Sequence, residues 1–312
     1  MMPLLSKARV PTFYFIGVTT GQSSIMKLFP LWAEALGLSD AVIRGIDVKI
    51  HSDPGVYRQI VAFIKEDPLS LGALVTTHKI DLYDAAFDMF DYLDPYARMF
   101  GELSCISKKD GKLEGYAKDP ISSGLSMDAF IPEGHWIRTG GEAFIMGAGG
   151  SAIAIMSNLL NKNKGGNIPS RFVVSNRSTP RLSNIERLVK EVNPDVDCEF
   201  YHTSRPGQND EILHALKPHS LIVNATGLGK DRPGSPLTDA CEFPLHGLIW
   251  ELNYRGDLDF MHQALRQKEQ RKLHVEEGWV YFIHGWTQVI SEVFHINIEG
   301  DLFDNVYQIA TK

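Results

Sequence analysis

The run Phe144-Ile145-Met146-Gly147-Ala148-Gly149-Gly150-Ser151-Ala152 decides how the rest of the chain is read. Its apolar start predicts a buried strand, its Gly-x-Gly-x-x-Ala turn a sharp exit, and Ile153 to Leu160 a following helix. Gly147 permits the tight turn, Gly149 leaves the backbone bare for a pyrophosphate, and Ala152 keeps helix and strand close. The N-terminus of that helix offers unpaired N–H groups and a positive dipole end to the phosphates. A glycine-rich turn by itself only turns a chain, so the flanking segments carry the argument.

Arg171 to Ser175 predicts a second strand, ending in Asn176-Arg177-Ser178 where a ribose-reading residue should stand. An acidic residue there would bond the 2′-hydroxyl of NAD. Asn176 followed by Arg177, with Arg181 just beyond, instead favours a 2′-phosphate held by guanidinium, and hence NADP. The plainer alternative for Arg177 is a solvated loop arginine. Ser220 to Asn224 predicts a third strand, running into Ala225-Thr226-Gly227-Leu228-Gly229, and Leu248 to Leu252 a fourth. Strands separated by helical stretches predict a doubly wound parallel sheet, whose ligands lie beyond the strand C-termini, here Asn224 to Gly229.

At 312 residues the chain suits two domains better than one. Lys and Arg number 31 against 38 Asp and Glu, and no dense basic block appears, which argues against nucleic acid or an anionic membrane as partner. Cys105, Cys198 and Cys241 have neither metal nor disulfide spacing, as expected in a reducing compartment. There is no signal-peptide core and no apolar run of transmembrane length. The expected protein is soluble and cytoplasmic, a monomer or homodimer. His51, His78, His202, His246, His274, His284 and His295 show no i, i+4 pairing, so no metal site is expected.

Residues 1–118 read as a separate α/β unit. Phe13 to Val18, Ala41 to Ile46 and Leu71 to Thr76 are predicted strands. Met26 to Leu36, Val56 to Ile64 and Ile80 to Phe90 are predicted helices, and Gly101 to Ser107 and Lys112 to Tyr116 flank a Lys109-Asp110-Gly111 turn. The third strand would deliver His78-Lys79 at its end. Asp119-Pro120 would cap the helix leading into the nucleotide unit. Trp279 to Phe294 is apolar enough to pack back on the first unit, with Trp279, Trp286 and Phe294 as packing residues. The resulting expectation is α/β: a substrate-binding domain of residues 1–118 with 279–312, a Rossmann-type domain of residues 119–278, and a cleft between them.

Hydride transfer needs a proton donor or acceptor at the substrate oxygen. Lys79 is placed for that work, and Asp119 could hold its ammonium and bind a substrate hydroxyl. Separately, Lys79 reads as a surface charge and Asp119 as a helix cap.

These residues resemble the shikimate dehydrogenase family over nearly the whole chain. Thr76-Thr77-His78-Lys79 is similar to the family's strand-end motif closing in Pro-His-Lys, whose lysine is catalytic. Gly115-Tyr116-Ala117-Lys118-Asp119 is similar to its Gly-x-Asn-Thr-Asp, whose aspartate partners that lysine. Gly147 to Ala152 matches its glycine turn, Asn176-Arg177-Ser178 its Asn-Arg-Thr NADP clamp, and Asn224-Ala225-Thr226 its Asn-Ala-Thr strand end. Glu251 to Tyr254 stands where the family has Asp followed by Tyr, and Gly278 opens a segment like its closing Asp-Gly-x-x-Met-Leu. The resemblance implies NADP bound by Gly147 to Ala152, Asn176 to Ser178, Asn224 to Gly227 and Tyr254. It also implies reduction of 3-dehydroshikimate to shikimate with Lys79 and Asp119, in the shikimate pathway of aromatic amino acid biosynthesis.

The departures fall on the substrate. Of the family's Ser-x-Ser carboxylate pair, Ser23 matches the first, but Ile25 takes the second place with Ser24 between. The family's Asn-Thr becomes Ser104-Cys105, the Asn and Thr of Asn-Thr-Asp become Ala117 and Lys118, and its C-terminal Gln becomes Gly285, with His284 and Gln288 as stand-ins. A solvated surface position is the plainer reading of Lys118, and a carboxylate-binding cation the alternative. The candidate substrate set is therefore Ser23, Ser24, Thr76, Ser104, His284 and Gln288. Quinate, an aminoshikimate or another small cyclic hydroxy-carboxylate would use the same chemistry. Methylenetetrahydrofolate dehydrogenases share a two-domain plan, but their Tyr four residues before the lysine is here Val75. A non-catalytic NADP-binding sensor would not need both Lys79 and Asp119.

Overall fold

The computed structural model describes residues 5–230 and 232–312. The first four residues of the expected substrate-binding domain, and Asp231 of the nucleotide-binding one, lie outside them. The chain divides into two units, residues up to Lys118 with Gly285–Lys312, and Asp119–His284.

The first unit runs β1 (Thr12–Gly17), α1 (Ile25–Ala35), β2 (Val42–Asp47), α2 (Pro54–Glu66), β3 (Ser70–Val75), α3 (Lys79–Ala86), β4 (Tyr92–Leu93), α4 (Pro95–Phe100), β5 (Cys105–Lys109) and β6 (Lys112–Tyr116). Its sheet has the order β2-β1-β3-β5-β6-β4, with β2, β1 and β3 parallel and β5 antiparallel to both neighbours. All six residues of β1 are buried, because both sheet faces are covered. Alternation sends Tyr14 and Ile16 to the face shared with Tyr57, Ile60 and Leu82. Phe13 and Phe15 meet Trp286 edge-on at 6.2 and 4.9 Å, and Phe294 lies 5.8 Å from Phe13.

Two sequence expectations change in this unit. The segment from Gly101 to Ser107 is not all strand: α4 precedes it, Gly101 ends that helix in the left-handed region (φ 62°), and β5 begins only at Cys105. Asp94, accepting from Ala97 N at 2.8 Å, and Pro95 start the helix, which is too short for a periodic apolar signal. The helix expected from Ile80 to Phe90 ends at Ala86 and passes into a single 3₁₀ turn, Phe87–Met89.

The second unit runs α5 (Asp119–Asp128), α6 (His135–Thr139), β7 (Ala143–Met146), α7 (Gly150–Leu159), β8 (Phe172–Asn176), α8 (Thr179–Val192), β9 (Cys198–His202), α9 (Pro206–His214), β10 (Leu221–Asn224), β11 (Leu248–Glu251), α10 (Asp259–Arg271) and β12 (His274–Glu276). Helix α11 (Trp279–Phe294) carries the chain back to the first unit, which closes with α12 (Asp301–Ala310). The sheet order is β9-β8-β7-β10-β11-β12, every pair parallel. This is the doubly wound order, and its direction reverses between β7 and β10. Every residue of β7, β10 and β11 is buried, so these strands read as continuous apolar runs rather than alternating ones. Among the described residues, no helix is long and apolar enough to cross a membrane.

Candidate active site

The glycine-rich turn leaves β7 at the switch point. Gly147 takes φ 115°, and a Cβ there would stand 2.5 Å from the Ala225 carbonyl oxygen, so β7 and β10 meet at a place that excludes any side chain. Helix α7 begins at Gly150 with no side chain capping it. Its first N–H groups therefore remain available to an anion. The Arg181 guanidinium lies 3.8 Å from where a Cβ of Gly149 would be, which sets a cation beside the bare backbone. Ala148 and Ala152 are buried, and their methyl groups serve the packing of the turn.

At the end of β8, Ser175 Oγ and Asn176 Nδ2 are buried without a hydrogen-bond partner among the described residues. Asn176 Oδ1 accepts from Arg177 N at 2.9 Å, and Arg177 itself is exposed beside Ser178 at the start of α8. The bare turn, the open helix start, two unsatisfied polar atoms and two arginines suit a nucleotide carrying an extra phosphate. Arg181 joins the expected Asn176, Arg177 and Ser178 here, because its place in the first turn of α8 turns it toward the glycine turn.

The loop after β10 is built differently from the simple strand end expected. Asn224 has no exposed surface. Its Oδ1 accepts from Thr226 N (3.1 Å) and Thr226 Oγ1 (2.6 Å), and its Nδ2 donates to Glu251 Oε2 (2.8 Å). Glu251 accepts further from Asn253 N at 2.8 Å and Nδ2 at 2.7 Å, and Asn253 also binds the Leu228 carbonyl at 2.9 Å. The Asn224 side chain thus shapes the loop from within, while Thr226 and Gly227 form its exposed part. Burial pushes the Glu251 carboxyl up to about 7, against the hydrogen bonds from Asn253 and Asn224. Neither Glu251 nor Asn253 stood in the sequence-derived set, because their roles depend on strand adjacency. The Tyr254 ring packs against Trp279 (5.3 Å) and Phe282 (4.6 Å), with Lys230 Nζ 5.4 Å from its centre.

In the first unit, several candidate substrate residues gather at one end of the sheet. Thr76 N donates to Ile16 O at 3.0 Å, Val75 N to Ser104 O at 2.9 Å, and Ser104 N to Tyr116 O at 2.9 Å. Ser23 and Ser24 lie between the 3₁₀ turn Thr20–Gln22 and α1, both partly exposed, whereas Ile25 is fully buried. Lys79 is not delivered by the strand directly, as expected, but opens α3 after a turn whose centre, Thr77, has φ 63°. Its carbonyl accepts from Leu103 N at 3.1 Å, and its side chain is partly exposed.

One further expectation is corrected. Lys118 is not a solvated surface lysine: it pairs with Glu292 of α11, its ammonium lies 4.6 Å from the Tyr116 ring centre, and its side chain is only 12% exposed. Ser104, 2% exposed, accepts from Lys118 N at 2.7 Å and donates to Tyr116 O at 3.4 Å. Burial pushes the His284 imidazole down to about 4, so it is neutral near pH 7. His284 belongs with Asp119 to the second unit, where Ser122 Oγ of α5 donates to its carbonyl at 3.3 Å. Gln288 lies partly exposed on α11 in the first unit. Among the described residues, no group of three or more His, Cys, Asp and Glu side chains is placed to hold a metal ion.

A 3-2-1-4-5-6 parallel sheet with a bare glycine turn at its switch point defines a dinucleotide-binding α/β protein, here joined to a second α/β unit. No family model matches the chain. The chain is 28% identical over 218 residues to the NADP(+) shikimate dehydrogenase of Symbiobacterium thermophilum, covering 69% of this chain and 68% of that one. Its fold matches the shikimate 5-dehydrogenase of Thermus thermophilus solved with NADP(H) and shikimate, with TM-score 0.69, 20% identity, and 96% and 99% of the two chains covered. It also matches the quinate dehydrogenase of Corynebacterium glutamicum solved with NAD, with TM-score 0.73, 16% identity, and 96% and 98% covered. In sequence and in fold the chain is thus similar to shikimate and quinate dehydrogenases.

Proposed function

We propose that this chain is an NADP-dependent alcohol dehydrogenase that interconverts a small cyclic hydroxy-carboxylate and its keto form, with 3-dehydroshikimate and shikimate as the first pair to test. The observation that carries the reading is the bare Gly147–Gly149 turn at the β7–β10 switch point, with Arg181 beside it. Arg177 and Arg181 would take the 2′-phosphate, and the α7 N-terminus with Gly149 the pyrophosphate. NADP, when bound, accepts a hydride from the carbinol carbon, or as NADPH returns it.

Lys79 takes the hydroxyl proton as that carbon is oxidised and gives it back in the reverse direction. Asp119 is assigned to hold the ammonium and the substrate hydroxyl. Ser23, Ser24, Thr76, Ser104, His284 and Gln288 are the proposed substrate-reading side chains. With Ile25 buried where the family has the second serine of its carboxylate pair, the carboxylate would be read differently from the family pattern. That difference supports including quinate and an aminoshikimate among the substrates.

The test is NADPH formation by the purified protein with NADP and, separately, shikimate, quinate and an aminoshikimate, beside a Lys79→Ala control. Turnover that disappears in the control supports the reading. Tight NADP binding without turnover of any of them would remove the substrate assignment, and turnover that survives the control would remove Lys79 from its role.

A further inference from the structure

We infer that Tyr57 is a positioning residue for Lys79, acting through His78; the inference rests on the role proposed for Lys79. The turn between β3 and α3 is unusual for its residue types. Thr77, a β-branched residue, holds φ 63°, and His78 N donates back to Thr76 O at 2.6 Å, closing a tight three-residue turn. β-Branched side chains disfavour this region, so the conformation persists only where neighbours impose it.

The neighbour that imposes it is a hydrogen-bonded chain. The His78 ring has no exposed surface, and its Nδ1 lies 3.1 Å from the hydroxyl of Tyr57, itself 1% exposed on α2. The same hydroxyl donates to Asp81 Oδ2 at 3.3 Å, and Asp81 lies two residues beyond Lys79 on α3. One phenol thus ties α2 to the residue before the lysine and to the first turn of its helix. His78 O also accepts from Leu82 N at 2.8 Å, so fixing His78 fixes the start of α3. Outside, Asp81 meets the exposed His51 at 3.1 Å.

A Tyr could fill this place for packing alone, and Phe would then serve equally. The geometry predicts otherwise: without the hydroxyl, His78 loses the contact that joins its ring to α2 and Asp81, and the Thr77 turn relaxes. Lys79 then leaves its set direction although the hydrophobic core of α2 is retained.

Tyr57→Phe tests this in the full-length protein. The first readout needs no substrate: the rate of Lys79 acylation by a succinimidyl ester, followed by peptide mass spectrometry and divided by that of the exposed Lys27 on α1. The expected result is a change of threefold or more in that ratio. With whichever acid turns over, kcat falls about 10–100-fold while its KM stays within about threefold. His78→Asn should give the same pattern, and the double variant should lose no more than the worse single one. Should Tyr57→Phe fail to fold, His78→Asn carries the same labelling test. An unchanged Lys79/Lys27 ratio, or losses that simply multiply in the double variant, overturns the inference. Turnover lost in Lys79→Ala with unchanged labelling in Tyr57→Phe overturns it alone. Turnover surviving Lys79→Ala overturns the proposed role of the lysine, and the labelling ratio still judges Tyr57.

Discussion

The carboxylate of Glu251, wholly buried at the end of β11, accepts a hydrogen bond of 2.8 Å from the side chain of Asn224 at the end of β10. Through this bond the loop that follows β10 is held by a titratable group, surrounded by amide donors. Its carboxyl is pushed up to about 7 from 4.5. Between those values the folded chain binds more protons than the unfolded one, so this group makes stability fall as pH rises.

Glu251→Gln removes that slope. Relative to the variant, wild type should lose roughly 2–3 kcal/mol of stability between pH 4.5 and pH 7.5, read from urea unfolding at both pH values. His284 acts in the other direction. Its pKa is lowered to about 4 from 6.5, so its contribution is lost as pH falls through that interval. The Gln variant should therefore become more stable from pH 4.5 to 6.5 where wild type changes less. Parallel curves for the two proteins would refute the assignment.

Gly147→Ala should disrupt both the turn and nucleotide binding. Its Cβ would stand 2.5 Å from the Ala225 carbonyl at φ 115°, and neither neighbour is a flexible side chain. A cost of about 1–3 kcal/mol is expected, with NADPH affinity weakened at least tenfold in a fluorescence titration. Unaltered affinity would mean that the turn does not carry the nucleotide.

Arg177→Ala and Arg181→Ala separate a phosphate clamp from solvated arginines. Each should weaken NADP binding about 10–100-fold, equivalent to ~1.5–3 kcal/mol for a charge-assisted contact, and leave NAD binding nearly unchanged. Equal losses for the two nucleotides would argue against a 2′-phosphate role. Calorimetric titration with each nucleotide decides it.

The Lys118–Glu292 pair should couple in a double-variant cycle. Their side chains are 12% and 22% exposed, so removing either leaves a poorly hydrated charge. Lys118→Met and Glu292→Gln should each destabilise by roughly 1–3 kcal/mol, and the double variant by less than their sum. Additive losses in denaturant midpoints would show that the two side chains act independently.

Local chemistry made much of the nucleotide-binding unit legible. Continuous apolar runs marked β7, β8, β10 and β11 because those strands are buried on both faces, and glycines marked the turn because no Cβ fits there. The six-residue α4 escaped because so short a helix shows no periodicity, although its Asp94-Pro95 start and Gly101 stop were present in the sequence. The place of Lys79 was readable to within a turn. Its delivery by a left-handed threonine was not, since nothing in Thr76-Thr77-His78 demands that backbone conformation.

By itself the sequence determined the α/β class, the glycine turn with its Asn-Arg-Ser companion, and the lysine and aspartate on which the proposed chemistry rests. Each of these is written in a few consecutive residues. Tertiary structure alone decided that Lys118 meets Glu292, that Tyr57 holds His78, and that Asn224 binds Glu251 rather than standing free in its loop. Those partners lie 174, 21 and 27 residues apart. What joins them is the order of strands and the packing of helices on the sheets, which no local pattern of residues encodes.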